Sequence, residues 1–228
     1  MDLISKALKK GAECLSEHES KQLLAKYEIT ITKETVVTTE EEAVTAALKM
    51  GYPVVFKASG EEFAHKTELD LIELNIKDET DAREAFQRLV SRPEISVREI
   101  LVQQMIKGDR ELVVGLTRDP QFGPCVMFGL GGIFTEILQD VTFRMAPLSR
   151  WDAMDMMNDI RASKILDAFR GKPSVDREAL ADILIAVGRI GMEVDEVKEI
   201  DINPLKILNG KPIVVDALVV LEQESVKK

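Results

Sequence analysis

Two segments far apart in the chain carry residues suited to handling phosphate. The stretch FKASGEEFAHKTELDLIELNI, from Phe56 to Ile76, supplies the Lys57 ammonium and the His65 imidazole. The stretch EIDINPLKILNGKPIVVDA, from Glu199 to Ala217, supplies Asp201, Asn203 and Asp216. A lysine head is a compact point charge for phosphate oxygens. An imidazole with an ordinary pKa near ~6.5 is neutral at cellular pH, nucleophilic, and able to carry an N-phosphoryl group. Carboxylate and amide oxygens are the ligands Mg²⁺ takes while it bridges phosphates. Together the two segments suggest phosphoryl transfer. Each residue also has a plain structural reading: His65 as a solvated loop histidine, Lys57 as a snorkelling strand-edge lysine, and Asn203-Pro204 as turn chemistry.

The elements that must position these residues are partly legible. Ser16 to Glu19 forms a capping-box pattern ahead of Leu23, Leu24 and Tyr27, which predicts a first helix to about Glu28. Thr39 and Glu42 repeat the pattern for a helix that carries Ala43, Ala46, Ala47 and Met50 and stops at Gly51. Pro53 to Ala58 then reads as a buried strand with Lys57 near its end, and the alternation of Ile72, Leu74 and Ile76 reads as a half-exposed one. A helix follows over Thr80 to Ser91. Ile100–Ile106 and Arg110–Asp119, joined by Lys107-Gly108-Asp109, read as a hairpin. Gly123–Gly132 is a short apolar strand with Val141–Met145 returning antiparallel to it. Ser149 caps a helix through about Phe169, Arg177–Met192 has helical apolar spacing, and two strands close the chain. On the closing pair, alternation puts Asp201 and Asn203 on one face, with Asp216 opposite on the returning strand.

This order describes an α+β protein of two lobes, divided as 1–99 and 100–228. Composition narrows the function classes. With 45% hydrophobic residues the 228-residue chain can bury a sizeable core. A net charge of −10 argues against a broad nucleic-acid or anionic-membrane surface. Charges interrupt every apolar run before about 18 residues, so neither a membrane span nor a signal peptide is expected, and the setting reads as cytoplasmic. Cys14 and Cys125 sit in unrelated contexts, and Cys125, in GPCVMFG, reads as a buried reduced thiol. Gly129, Gly131 and Gly132 lack the G-x-G-x-x-G spacing of a dinucleotide site. They read instead as points of close backbone approach to phosphate or to a partner. His18, in a first helical turn, carries no comparable claim.

Read in order, LSEHESKQLLAKYEI, TTEEEAVTAALKMGYPVVFKAS, HKTELDLIELNI, ILVQQMIKGDREL, FGPCVMFGLGGIFTEILQDVTFRMAPL, AFRGKPSVD and EIDINPL resemble the ATP-grasp β subunit of nucleoside-diphosphate-forming acyl-CoA synthetases, across nearly the whole chain. The resemblance implies an ATP-grasp fold with nucleotide bound between two lobes. It also implies the reaction acyl-CoA + ADP + phosphate ⇌ acid + CoA + ATP, of the acetate:CoA ligase (ADP-forming) type. It assigns His65 as a phosphate carrier, Asp201 as an acid steadying the phosphohistidine, and Asn203 and Asp216 as Mg²⁺ ligands. Lys57, Gln103 at the inter-lobe hinge, and Glu111 fall at the nucleotide, ADP or ATP. The CoA site and a first phosphohistidine belong to an α subunit, so the expected assembly is αβ, as α2β2. One block departs from the family pattern: where D-x-G-G-V follows the histidine in relatives, this chain reads Lys66-Thr67-Glu68-Leu69-Asp70-Leu71-Ile72, without the glycines that let a backbone approach phosphate. Two other readings stay open: a stand-alone ATP-grasp carboxylate–amine ligase, and a non-catalytic nucleotide-sensing subunit.

Overall fold

The structure, a computed structural model, describes residues 2–59, 71–91, 99–108, 110–132 and 139–222. The chain forms two compact units. The smaller comprises Ser16–His18 and Thr32–Ile106; the larger comprises Met1–Leu15, Glu19–Ile31 and Lys107–Lys228. The expected division at 99/100 is therefore corrected. It falls at the start of a strand that belongs wholly to the smaller unit, and most of the first 31 residues belong to the larger one.

The smaller unit is an antiparallel sheet backed by two helices. Strands β1 (Glu34–Val37), β2 (Val54–Ser59), β3 (Ile72–Ile76) and β4 (Glu99–Gln104) lie in the order β1-β4-β2-β3. The central strand β2 is buried at every residue. Helix α3 (Glu40–Met50) follows the two amino-terminal helices α1 (Asp2–Lys9) and α2 (Glu17–Lys26). It starts where the sequence predicts, with a reciprocal capping box in which the Thr39 side chain accepts from the Glu42 N–H and the Glu42 side chain accepts from the Thr39 N–H. Its Ala43, Val44 and Ala47 are small enough to lie flat on the sheet. Helix α4 (Glu79–Val90), capped by Asp78, adds Ala82, Ala85, Phe86 and Leu89 to the same core as Val54, Phe56, Ile100 and Val102.

The larger unit is built on a six-stranded sheet. Strands β5 (Glu111–Asp119), β6 (Gly123–Leu130), β7 (Val141–Met145), β8 (Val197–Leu208) and β10 (Ala217–Leu221) run in the order β10-β8-β5-β6-β7, with β9 (Lys211–Val214) beside β8. Helices α5 (Arg150–Asp159) and α6 (Arg177–Glu193) cover it, α6 burying Leu180, Ile183, Leu184, Val187 and Ile190. The return of β7 onto β6 is as the sequence suggests.

Three local expectations are corrected. β4 and β5 are not a hairpin: β4 pairs with β1 and β2, and β5 pairs with β6 and β8. Two strand-like runs around a glycine cannot specify their partners. Gly108 serves a close approach instead, since a Cβ there would lie 2.8 Å from the Ile207 carbonyl oxygen. The helix from Ser149 ends at Asp159 rather than near Phe169, because the Asp140 carboxylate takes the Arg161 and Ala162 N–H groups at 2.8 Å each and fastens the chain out of helical register. Three strands, not two, close the chain, and α1 adds a helix that the sequence reading left out.

Candidate active site

Lys57 and Gln103 share one face of the small sheet. Val55 pairs with Gln103 and Lys57 with Leu101, so the two polar residues are diagonal neighbours on the face turned away from the Phe56 and Val102 core. Both are buried. The Lys57 ammonium lies 2.7 Å from the Glu17 carboxylate, with side-chain exposures of 5% and 2%. At that depth neither charge is well hydrated, and each is tolerable because of the other. Sequence reasoning passed over Glu17, which reads as an ordinary acidic residue in a first helical turn. His18, at its side, places Nδ1 2.9 Å from the Glu34 carboxylate, which also accepts from the Thr32 hydroxyl at 3.3 Å. This pairing is consistent with a structural histidine.

The acidic residues of the larger unit gather at one stretch of β8. Asp201 is opposite Gly115 on β5 and Leu218 on β10. Burial pushes its carboxyl pKa up, and the neighbouring Glu199 and Asp216 charges push it the same way. Asp216 sits between β9 and β10, and its carbonyl accepts from the Asn203 N–H at 3.2 Å. Asp201, Asn203 and Asp216 are therefore together, as their spacing suggests. Asn203-Pro204 is not a turn: it lies inside β8, where two residues, Asn203 and Pro204, face only Val113 between the pairs Ile202–Val114 and Leu205–Leu112. A bulge of this kind re-aims side chains. Lys21, also passed over, is fully buried, and its ammonium donates to the Val215 carbonyl at 3.2 Å, next to Asp216. A signal was available, since Lys21 stands three residues before Leu24 on the buried face of α2 and four after Glu17.

Glu111 opens β5 opposite Lys206, and their side chains are 3.0 Å apart. Gly132, at φ 65°, leaves room that a Cβ would take, 2.6 Å from a Glu111 carboxylate oxygen. Gly131 and Gly132 thus pack on Glu111, while Gly129 packs on the Asp140–Val141 backbone. His65, Lys66, Thr67, Glu68, Leu69 and Asp70 lie outside the described residues. Cys14 and Cys125 form no disulfide and are half-buried rather than fully buried, with the Cys125 thiol pKa pushed up by burial.

The oxygen-rich corner fits a divalent cation. Burial first, and the Glu199 and Asp216 charges second, disfavour the ionised Asp201 carboxyl, and a positive ion at this corner would offset both. No three His, Cys, Asp or Glu side chains among the described residues converge as a cage. Mg²⁺ takes one or two protein oxygens and fills its shell with waters and phosphates.

Comparison with known proteins decides the family. Residues 6–221 match the ATP-grasp domain family. The chain is 43% identical over 212 residues to the β subunit of ADP-forming acetate–CoA ligase I of Pyrococcus furiosus, covering 91% of each. The chain belongs to the ATP-grasp family of ADP-forming acetate–CoA ligase β subunits. ADP-forming acetate–CoA ligase I of Archaeoglobus fulgidus is 36% identical over 228 residues, 98% of this chain but only 33% of that one. The fold superposes on an acetyl-coenzyme A synthetase of Ca. Korarchaeum cryptofilum, in complex with coenzyme A and Ca-AMPCP, with a TM-score of 0.93 and 41% identity over 97% of this chain and 99% of the other. A second structure of that protein holds coenzyme A and Mg-AMPPCP, with its phosphohistidine segment pointing towards the nucleotide-binding site. Among the described residues, no helix is long and apolar enough to cross a membrane.

Proposed function

We propose that this chain is the nucleotide-binding β subunit of an ADP-forming acetyl-CoA synthetase, catalysing acyl-CoA + ADP + phosphate ⇌ acid + CoA + ATP. It works in the cytoplasm with an α subunit, as α2β2. The observation that carries the reading is the Asp201, Asn203 and Asp216 corner on β8 and its return, in a chain that matches such a β subunit over 91% of both lengths.

In this reading Lys57, held by Glu17, contacts the nucleotide phosphates, and the β4 segment around Gln103 meets the adenine edge. Glu111, aligned by Lys206 and Gly132, lies at the nucleotide. Asn203 and Asp216 hold Mg²⁺, which when bound neutralises charge building on the phosphates. His65 takes a phosphoryl group from the phosphohistidine of the α subunit. The N–P bond of His65 then breaks as a terminal phosphate oxygen of ADP forms the new P–O bond, and the imidazole leaves neutral. Asp201 steadies the protonated ring nitrogen of the phosphohistidine. Positioning and charge neutralisation supply the acceleration, and no further covalent step is needed on this chain.

The test is turnover of acetyl-CoA, ADP and phosphate by the chain with its α partner, in wild type and His65→Ala. The reading expects ATP formation to be abolished in the variant. Intact turnover in His65→Ala would sink it, and turnover of an amine acceptor without any partner would favour a carboxylate–amine ligase.

A further inference from the structure

On a chain of net charge −10, a cavity of about 440 Å³ in the larger unit is lined, among the described residues, by Arg110, Lys164, Ile165, Phe169, Arg170 and Lys172, four cations with two apolar side chains. That volume is within the range of small-ligand sites. Arg110, in its wall, is 8% exposed. Its guanidinium donates to three backbone carbonyls, those of Ile165 and Asp167 at 3.3 Å and of Pro173 at 2.7 Å, and its buried Nε makes no hydrogen bond. All these partners are neutral. The nearby Asp167 carboxylate is taken by Arg177 at 3.1 Å. Buried charges are normally paired, because desolvation costs more than neutral dipoles return. Among the described residues Arg110 has no carboxylate in ion-pair range.

A tight turn adds to this charge. Phe169 and Lys172 exchange backbone hydrogen bonds at 3.2 and 3.0 Å around Arg170 and Gly171. Arg170 sits at φ 48°, a conformation a non-glycine residue adopts at a cost, and strain of that kind concentrates at functional positions. The turn lays the Arg170 guanidinium 5.0 Å from the centroid of the Phe169 ring, which is 60% exposed. Arg110, through the Ile165, Asp167 and Pro173 carbonyls, ties both ends of the segment carrying the turn.

We propose that this cavity binds a phosphate group, with Arg170 and Lys164 as its accessible contacts, Arg110 as the buried charge that the anion compensates, and the Phe169 ring as a platform for any attached base. Several cations around one small volume favour a multiply charged phosphate over a carboxylate. The proposal does not depend on the nucleotide reading, because none of these residues belongs to that set.

Isothermal titration calorimetry of the full chain with two probes, inorganic phosphate and adenosine 3′,5′-bisphosphate, tests it against Lys164→Glu/Arg170→Glu. Both side chains are exposed, and an unchanged melting temperature certifies the variant as folded. The expected result is saturable binding of at least one probe, weakened about tenfold or more in the variant and falling with salt, as charge-assisted contacts require. A bisphosphate preference that disappears in Phe169→Ala identifies a nucleotide-like source; equal affinities identify free phosphate. Absence of binding by both probes overturns the proposal, as does binding that the double variant leaves unchanged. Loss of α-subunit association in the double variant, without any phosphate binding, would instead mark the cavity as a docking point and likewise overturn it.

Discussion

Replacing Glu17 by Gln should do two separable things, both fixed by the geometry of its contact with Lys57. The pair is 2.7 Å apart and almost dry, at 2% and 5% exposure, so removing one partner takes this counter-charge from the other where water cannot replace it. Breaking a pair in that setting costs about 3–5 kcal/mol, against about 0–1 kcal/mol for a surface pair. Lys57→Met should cost a similar amount for the mirror reason, whereas the double variant removes both charges of the pair together. A double-mutant cycle by urea denaturation should therefore show coupling of about 2–3 kcal/mol. The second effect is on nucleotide: without this carboxylate the Lys57 ammonium loses the contact that holds it in place, so affinity for ATP falls in Glu17→Gln and is partly restored in Glu17→Asp. Singles that add to the double within about 0.5 kcal/mol would refute the reasoning, because they would show that the two charges do not sense each other.

Other outcomes follow from the same contacts. Thr39→Ala removes one half of the α3 capping box and should destabilise the smaller unit by about 1 kcal/mol, read by hydrogen exchange in residues 32–106. Backbone and hydroxyl donors of Thr38 and Thr39 hold the Glu42 pKa below its ordinary value of 4.5. Its ionised form is therefore favoured in the fold, and the stability advantage of wild type over Glu42→Gln should be full at neutral pH and lost as pH falls below 4.5 and through the lowered pKa, followed by melting temperature. Lys21→Met takes this donor from the half-buried Val215 carbonyl and should cost about 1 kcal/mol in denaturant unfolding. Asp216→Ala should weaken Mg·ATP binding by about tenfold or more in calorimetry while leaving the metal-free affinity little changed.

The sequence carried the elements better than their partnerships. The Thr39–Glu42 box, the small face of α3 and the alternation of β3 are local signals, and local signals survive folding. The hairpin reading failed because strand period and a glycine describe β4 and β5 equally well whether they pair with each other or with different sheets. The division at residue 99 failed for the same reason. At the site, Asp201, Asn203 and Asp216 were legible because β8 and its return bring them together through near-neighbour pairing. Glu17 and Lys21 were not, since their importance arises only when α2 buries them, and helix periodicity assigns a face without naming what it meets.

Phosphoryl transfer through His65 is the central claim, and labelling tests it most directly. The purified chain is incubated with Mg²⁺ and γ-labelled ATP, with and without its α partner, and the label is assayed for acid lability and base stability in wild type and His65→Ala. The account predicts base-stable, acid-labile label on this chain that vanishes in the variant. Bound nucleotide with no label on the chain, even with the partner present, would contradict it.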